Sequence, residues 1–274
     1  TEPIPGTRPL VSVVTVCFNA ERHLAETMES VLAQTYSDIE YLVVDGGSTD
    51  GTLEVVRSFE PRFGGRLKWL SESDEGIYHA MNKGIGMARG ALVGLLNADD
   101  AYLPDAIERV VAAYSGVSGI GAVYGDVQIV DDAGALVRIE PALEPAQIPT
   151  RPERMPFCHQ SLFVAHWAYE QLGSYDTRFR ILADYEWVLR ACAAELPMLH
   201  VSAPLVRFRL GGICSTDMAS SNAERERIRV SYGASPLTER LKRARHAFNR
   251  MVYAAVRGRR AGRSASDDRE TRKP

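Results

Sequence analysis

The feature that most constrains the fold of this chain is a regular alternation of two kinds of segment. Short apolar runs rich in β-branched residues, typical of buried strands, alternate four times with longer segments whose apolar residues recur at helical spacing. The strand-like runs are Leu10 to Val16, Ile39 to Asp45, Leu67 to Leu70 and Ala91 to Leu96, and the last helical segment spans Leu103 to Tyr114. This order predicts an α/β fold with a mostly parallel sheet and helices on both of its faces.

The second half of the chain departs from this alternation. Residues 123–130 and 135–139 are expected to form a β-hairpin around the turn Asp131 to Gly134. A Pro-rich loop follows, then a strand with a short helix in "HQSLFVAHWAYEQLG", a helix in "LADYEWVLRACAAE" and a strand in "APLVRFRL". Because no internal repeat or linker separates the halves, we expect one continuous mixed domain.

Composition narrows the class of protein. The chain is 45% hydrophobic and 24% charged, as is usual for globular proteins. Its four cysteines are scattered without a C-x-x-C pair, which argues against a disulfide framework or a zinc site and favours a reducing cytosol. No apolar run reaches the length of about 18 residues expected of a transmembrane helix, and the N-terminal residues lack a signal-peptide pattern. We therefore expect a cytoplasmic protein.

The charges are unevenly distributed along the chain. Residues 236–274 contain 12 Lys and Arg against 4 Asp and Glu, which leaves 20 basic and 31 acidic residues in 1–235. From Leu237 to Ala255 apolar residues recur on one helical face, so this helix either packs on the protein body or lies on an anionic membrane at the inner face of the cell. Nucleic-acid binding is not expected, because the acidic body would repel it and no stacking aromatic residues are interleaved. Sedimentation with phosphatidylglycerol-rich liposomes, with and without residues 237–274, separates the first two interpretations.

Acidic side chains follow three of the four predicted strands. Asp45 ends the second strand, Asp74 comes a few residues after the third, and Asp99 and Asp100 follow the fourth in the sequence Asn97-Ala98-Asp99-Asp100. In open parallel sheets ligands bind at the carboxyl ends of the strands. Mg²⁺ and Mn²⁺ prefer oxygen ligands and commonly take one or two carboxylates together with substrate phosphates. The pattern predicts a polar ligand site at this edge of the sheet, with a divalent cation.

Each of these features also has a purely local explanation. The glycine-rich turn after Asp45 can cap the next helix, and Asp74 can complement a helix dipole. Tyr78, Asn82 and Lys83 are ordinary helix-surface residues unless a ligand binds beside them, and His79 is explained equally well as a packed or solvated histidine. Near the end of the last predicted strand, Arg207 and Arg209 are explained equally well as solvated strand residues.

Three motifs taken together resemble one known family. "VSVVTVCFNAERHLAETMESVLAQTYSDIEYLVVDGGSTDGT", "SDEGIYHAMNKGI" and "GLLNADD" occur in the order found in family-2 inverting glycosyltransferases with the GT-A fold. The resemblance is dense over residues 9–130 and continues to about Leu210. It implies that Asp45 contacts a nucleobase and that Asp74 lies by the base or ribose. It also implies that Asn97 and Asp99 hold the diphosphate, with Asp99 or Asp100 binding Mn²⁺ or Mg²⁺.

The same resemblance implies roles in the second half of the chain. "ILADYEW" matches the segment that carries the family's catalytic base, which makes Asp184 the candidate and Glu186 the second choice. His159 and Gln160 would line the acceptor and sugar side. Gly211 and Gly212 lie in "RFRLGGICST", which resembles a loop that closes over the diphosphate, and such loops shield reactive bonds from water.

The resemblance implies an inverting, metal-dependent hexosyltransferase that moves a sugar from a nucleotide-diphosphate sugar to a saccharide or lipid-linked acceptor in polysaccharide or glycolipid assembly. A nucleotidyltransferase is an alternative, although "CFNAERH" lacks the glycines such enzymes usually carry after their first strand; a non-catalytic nucleotide-sugar-binding protein is another. We expect a GT-A catalytic domain over 9–215, with a donor half (9–130) and an acceptor half (131–215). A C-terminal basic helix over 216–257 and a disordered tail over 258–274 would follow it.

Overall fold

A computed structural model describes residues 8–211 and 218–235 of the chain. It divides into two units, with the boundary between Asp217 and Met218. The described part of the first unit contains nine strands: β1 Val11–Cys17, β2 Ile39–Asp45, β3 Leu67–Ser71, β4 Leu92–Asn97, β5 Ala101–Tyr102, β6 Ala122–Val130, β7 Leu136–Glu140, β8 Phe163–Ala165 and β9 Met198–Arg209. Its helices are α1 Leu24–Leu32, α2 Thr52–Phe63, α3 Ile77–Met87, α4 Ala106–Ser115, α5 His166–Leu172 and α6 Ala183–Ala193. The second unit contains α7, Met218–Ser231.

The nine strands form one mixed sheet in the order β3-β2-β1-β4-β8-β6-β9-β5, and β7 pairs with β6 at the side. The pairs β3-β2, β2-β1 and β1-β4 are parallel, as the strand–helix alternation predicts. On the other side of β4, β8 is antiparallel to both β4 and β6, whereas β6 and β9 run parallel. The predicted hairpin is confirmed as the antiparallel pair β6-β7.

Alternate residues of β1 explain why helices cover both faces of the sheet. Val11 and Val13 belong to one buried cluster, with apolar residues of α1, α2 and α4. Val14 and Val16 point the other way, into a second cluster with residues of α3, α5 and α6. Since side chains alternate along a strand, a strand with apolar residues on both faces, such as "VSVVTV", requires cover on both sides.

The predicted element bounds are right to within a few residues for the buried strands and wrong in two places. β9 begins at Met198, five residues before the expected strand, because its first part is only half-buried and lacks a strong apolar pattern. The two-residue strand β5 was not expected; it pairs with Val206 and Arg207 of β9. Among the described residues no helix is long and apolar enough to cross a membrane. The basic segment from Leu237 onward lies outside the described residues.

Close packing of α3 on β1 generates a prediction about stability. A Cβ atom on Gly84 would lie 2.2 Å from Cγ1 of Val14, inside the core, whereas one on Gly86 of the same helix would meet nothing within 4 Å. We expect Gly84→Ala to lower the free energy of unfolding by about 1–3 kcal/mol through overpacking. Gly86→Ala should raise it by about 0.5–1 kcal/mol, because alanine favours the helix. Urea unfolding measures both, and equal effects of the two substitutions would contradict this packing.

Candidate functional site

Asp45 is the last residue of β2 and organises the loop that follows it. Its side chain is buried, and Oδ2 accepts hydrogen bonds from Ser71 Oγ at 2.7 Å, Ser48 N at 3.0 Å and Gly47 N at 3.1 Å. The Ser48 hydroxyl donates to Oδ1. Burial alone would raise the pKa of Asp45, but the hydrogen bonds from Ser48, Ser71 and Gly47 hold it below its usual value. Asp45 is therefore an ionised carboxylate that fixes the shape of the glycine-rich loop.

Asp74 lies beside that loop and is held by α3. Only 7% of the Asp74 side chain is exposed. Its Oδ1 is 2.6 Å from Lys83 Nζ and 3.3 Å from His79 Nδ1. Lys83 forms a second ion pair with Glu72. Hydrogen bonds to Asp74 and Glu72 raise the pKa of Lys83, which keeps its ammonium group charged. A Cβ atom on Gly46 would lie 3.6 Å from Asp74 Oδ2, so the loop after β2 and Asp74 adjoin.

Phe18 is an aromatic side chain at this edge that the sequence interpretation missed. It follows β1 directly, and 64% of it is exposed. A Cβ atom on Gly46 would be 3.6 Å from the Phe18 ring, which places the ring next to the loop after β2. An exposed aromatic face beside polar groups can stack on a flat heterocycle. The available signal was a lone aromatic residue one position past a buried strand.

The segment Asn97 to Asp100 continues this edge from β4. Asp99 is half-buried, whereas Asp100 is buried and its Oδ1 accepts the backbone N–H of Arg209 at 2.9 Å. Burial and the neighbouring Asp99 raise the pKa of Asp100 well above its usual value. Within residues 8–211 and 218–235, no hydrogen-bond donor reaches Asn97 Oδ1 or Asp100 Oδ2, although both atoms are buried.

These oxygen atoms fit a hard divalent cation, which would compensate the buried carboxylate. The described part of the chain contains no cluster of three or more His, Cys, Asp or Glu side chains able to hold a metal alone. A cation here would therefore need further ligands, such as substrate phosphates, as Mg²⁺ sites commonly do.

Arg209, the last residue of β9, joins the acidic segment to its surroundings. The alternative of a solvated strand residue does not apply to Arg209, because the residue is buried. Its Nη2 is 2.6 Å from Glu26 Oε2, and its Nη1 donates to the carbonyl of Asp132 at 2.6 Å. Its Nε donates to the carbonyl of Asp99 at 3.2 Å. The guanidinium group thus fixes the backbone of the acidic segment against α1 and the β6-β7 turn.

Asp184 lies in the first turn of α6, with 14% of its side chain exposed. The Tyr78 hydroxyl is 2.8 Å from Asp184 Oδ1, and His159 Nδ1 is 3.8 Å from Oδ2. Burial lowers the pKa of His159, so this imidazole is neutral near pH 7. Asp184 is therefore linked to α3 through one hydroxyl, and it borders the segment that contains His159.

The remaining predicted site residues divide between the site and the scaffold. Gln160 is buried and accepts a hydrogen bond from the Cys158 thiol at 2.8 Å. Glu186 is buried and forms an ion pair at 2.8 Å with Arg190, which also binds carbonyl oxygens at the end of α5. Gly211 has a φ of 126°, a conformation suited to glycine. Gly212 lies outside the described residues.

The structure thus connects acids at the strand ends with Asp184 through the sheet edge and α3. Asp45 pairs with Cys17 and Asn97 with Val16, so the ends of β2 and β4 flank the end of β1. α3 contacts Asp74 through Lys83 and Asp184 through Tyr78. The side chains of α3 that local pattern assigned to an ordinary surface are the links between these groups.

Comparison with known proteins identifies the family. Residues 12–165 match the family model described as Glycosyl transferase family 2. The chain belongs to glycosyl transferase family 2. A PGL/p-HBAD biosynthesis glycosyltransferase of Mycobacterium bovis is 33% identical over 186 residues, covering 66% of this chain and 69% of the relative. An uncharacterized glycosyltransferase of Mycobacterium tuberculosis is 31% identical over 256 residues, covering 92% of this chain and 91% of the relative.

Solved structures confirm the predicted GT-A fold. S. aureus TarS 1-349 in complex with UDP-GlcNAc has a TM-score of 0.62 at 15% identity, covering 84% of this chain and 69% of that one. The chain spans only 41% of a longer TarS structure. The mannosyltransferase PcManGT from Pyrobaculum calidifontis, in complex with GDP-Man and Mn²⁺, has a TM-score of 0.54 at 21% identity, covering 74% of this chain and 56% of that one. The family-2 resemblance of the sequence is thus correct.

The hydrogen bonds of Asp45 predict a pH-dependent contribution to stability. Asp45→Asn should lower the free energy of unfolding at pH 7 by about 1–3 kcal/mol. The NH₂ group of asparagine would face the N–H and O–H donors of Gly47, Ser48 and Ser71, which the carboxylate accepts. Folding lowers the pKa of Asp45. The stabilisation is therefore complete above the pKa that Asp45 has in the unfolded chain, and it is lost as the pH falls through the pKa of Asp45 in the folded protein. In urea unfolding, the difference in free energy of unfolding between wild type and variant should therefore narrow below about pH 4.

Asp38→Asn is the matched control, since Asp38 forms a surface ion pair with Arg8 and 45% of its side chain is exposed. This control should cost much less than Asp45→Asn at pH 7. A gap for Asp45→Asn that stays constant between pH 7 and pH 3 would show that the ionised carboxylate is not what holds the loop.

Proposed function

We propose that this glycosyltransferase moves a sugar from a nucleotide-diphosphate sugar to an acceptor hydroxyl with inversion at the anomeric carbon, using Asp184 as the base. The observation that carries the proposal is the contrast between the two acids of α6. The carboxylate of Glu186 is buried in an ion pair with Arg190. In Asp184, by contrast, Oδ2 is 3.8 Å from His159 Nδ1, too far for a hydrogen bond. A single available carboxylate suits a one-step displacement, which needs one base.

The donor would bind at the edge formed by the ends of β1, β2 and β4. Phe18 offers a face for the nucleobase, and the loop shaped by Asp45 offers close backbone approach. Asp74, held by Lys83, would contact the base or ribose. The relatives solved with UDP-GlcNAc and with GDP-Man support a nucleotide-sugar donor, and both nucleotides belong in the test.

Asn97, Asp99 and Asp100 are the residues we propose to hold Mn²⁺ or Mg²⁺ with the donor diphosphate. Bound there, the cation would offset the negative charge that develops on the leaving diphosphate. Asp99, which is half-buried, is proposed as a direct ligand beside Asn97 Oδ1 and Asp100 Oδ2, the buried oxygens that no donor in the described residues reaches. Asp100 is buried and accepts the Arg209 backbone N–H, which orients the segment. The Mn²⁺ in PcManGT supports the use of a divalent cation.

In the proposed reaction the acceptor hydroxyl attacks the anomeric carbon on the face opposite the diphosphate. The bond from the acceptor oxygen to that carbon forms as the carbon–oxygen bond to the diphosphate breaks, and the leaving group keeps the electron pair. Asp184 takes the hydroxyl proton. Neutral His159 and Gln160 would line the acceptor side, and the segment containing Gly211 and Gly212 would close over the diphosphate.

The acceptor is proposed to be a saccharide or a lipid-linked sugar. The mycobacterial relative named for PGL/p-HBAD biosynthesis supports a role in glycolipid assembly. Family membership favours glycosyl transfer over the nucleotidyltransferase alternative, and the shared scaffold of Asp74 and Asp184 favours catalysis over simple binding.

Substitution of the base tests the proposed function. With a UDP- or GDP-sugar and a saccharide acceptor, Asp184→Asn should lower kcat by about 10²-fold or more, since it keeps the shape of the side chain but removes its basicity. Donor affinity measured by calorimetry should stay near that of wild type. Glu186→Gln, the matched control on the same helix, should retain turnover. If Asp184→Asn transfers sugar at the wild-type rate while Glu186→Gln does not, the base is Glu186.

Removal of the metal tests the acidic segment. EDTA should abolish transfer, and calorimetry should show nucleotide binding strengthened by Mn²⁺. Asp99→Asn should reduce the gain in nucleotide affinity caused by Mn²⁺ by about 10-fold or more, because it removes a hard ligand. Asp100→Asn should weaken it less, because an amide oxygen can still accept the Arg209 N–H. Full activity of wild type in EDTA would contradict the metal proposal.

A further inference from the structure

Helix α3 connects the donor side of the site to the segment that carries the base. Asn82 forms two hydrogen bonds with the backbone of Tyr175, its Nδ2 donating to the carbonyl at 2.8 Å and its Oδ1 accepting from the N–H at 2.9 Å. One turn earlier, the Tyr78 ring packs on the Tyr175 ring with centroids 5.4 Å apart. The orientation of Tyr78 is therefore fixed by packing and not only by its hydroxyl.

The Tyr78 hydroxyl has one proton, and two acceptors among the described residues lie close to it. Its oxygen is 2.8 Å from Asp184 Oδ1 and 2.8 Å from the carbonyl oxygen of Ile181. A phenolic O–H donates one hydrogen bond at a time. A carboxylate is a stronger acceptor than a neutral carbonyl, and a protonated carboxyl group is a weaker acceptor than a carboxylate.

We propose that Tyr78 is a positioning residue for Asp184, and that its hydroxyl changes acceptor when Asp184 takes up a proton. While Asp184 is ionised, Tyr78 donates to Oδ1 and holds the carboxylate in place. Once Asp184 is protonated, the Tyr78 O–H turns to the Ile181 carbonyl and relinquishes Oδ1. Tyr78 keeps its own proton throughout.

This arrangement assigns different tasks to the two oxygens of Asp184. Oδ1 is engaged by Tyr78, whereas Oδ2 lies 3.8 Å from His159 Nδ1, beyond hydrogen-bond distance. Oδ2 is thus the oxygen that receives the proton. The acceptor O–H bond breaks with its proton passing to Oδ2, the acceptor oxygen bonds to the anomeric carbon, and the diphosphate leaves with the electron pair of the broken bond. The assignment rests on the proposed function of Asp184.

Tyr185 provides a matched control for substitution of Tyr78. It follows Asp184 on α6, is buried, and donates its hydroxyl to the carbonyl of Pro152 at 2.7 Å. Tyr78→Phe and Tyr185→Phe each remove one buried phenolic hydroxyl, but only the first removes a hydrogen bond to Asp184. Thermal unfolding and donor binding are measured for both, and kinetics are run where circular dichroism shows each variant fully folded.

Tyr78→Phe should lower kcat about 10-fold or more, as expected for loss of a hydrogen bond to a charged group, while the KM for the donor changes less than about twofold. Tyr185→Phe should leave kcat near that of wild type. In the Asp184→Asn background, Tyr78→Phe should cause little further loss, because a residue that acts through Asp184 has nothing left to position.

Two results would overturn the inference. One is a kcat for Tyr78→Phe equal to that of Tyr185→Phe. The other is a double variant whose losses multiply, which would indicate a structural effect independent of the base. If wild type transfers sugar and Asp184→Asn does not, either result refutes the role of Tyr78 alone. If wild type transfers no sugar from any donor, or Asp184→Asn is unimpaired, the proposed function of Asp184 fails and the inference fails with it.

Discussion

The whole site depends on the parallel pairing of β1 with β2 on one side and β4 on the other. This pairing sets Asp45 opposite Cys17 and Asn97 opposite Val16, so loops distant in sequence leave the sheet at one edge. The pairing is stable because β1 and β2 are buried along their whole length and covered on both faces. A register slip of one residue would turn every core side chain of the strand to the opposite face. Buried apolar packing thus determines where the polar chemistry lies.

A second constraint is that α3 contacts two separate parts of the site, Asp74 and Asp184. Gly84 brings the helix close to Val14, Lys83 holds Asp74, and Tyr78 reaches Asp184. These side chains explain the motif "IYHAMNKG" as a connector, since Lys83 and Tyr78 each contact a group proposed for donor binding or for the base. A change in the position of α3 would alter both sides of the site together.

Much of the fold and of the acidic edge could be predicted from sequence, because strand burial and strand-end acids are local patterns. The links between them could not. Tyr78 contacts a residue 106 positions away, and Arg209 contacts the carbonyl of Asp99 at a separation of 110. Nothing local distinguishes such a tyrosine or arginine from a surface residue. The different environments of Asp184 and Glu186 depend in the same way on Arg190 and the end of α5.

We propose that one carboxylate, Asp184, is the base of a single displacement at the anomeric carbon. The most direct test is the stereochemistry of the product, read by proton NMR during transfer from a nucleotide sugar of known anomeric configuration. A single displacement predicts that the first-formed glycosidic bond has the configuration opposite to that of the donor. A product with retained configuration would require a different mechanism, and it would contradict the role of Asp184 as the base of an inverting transfer.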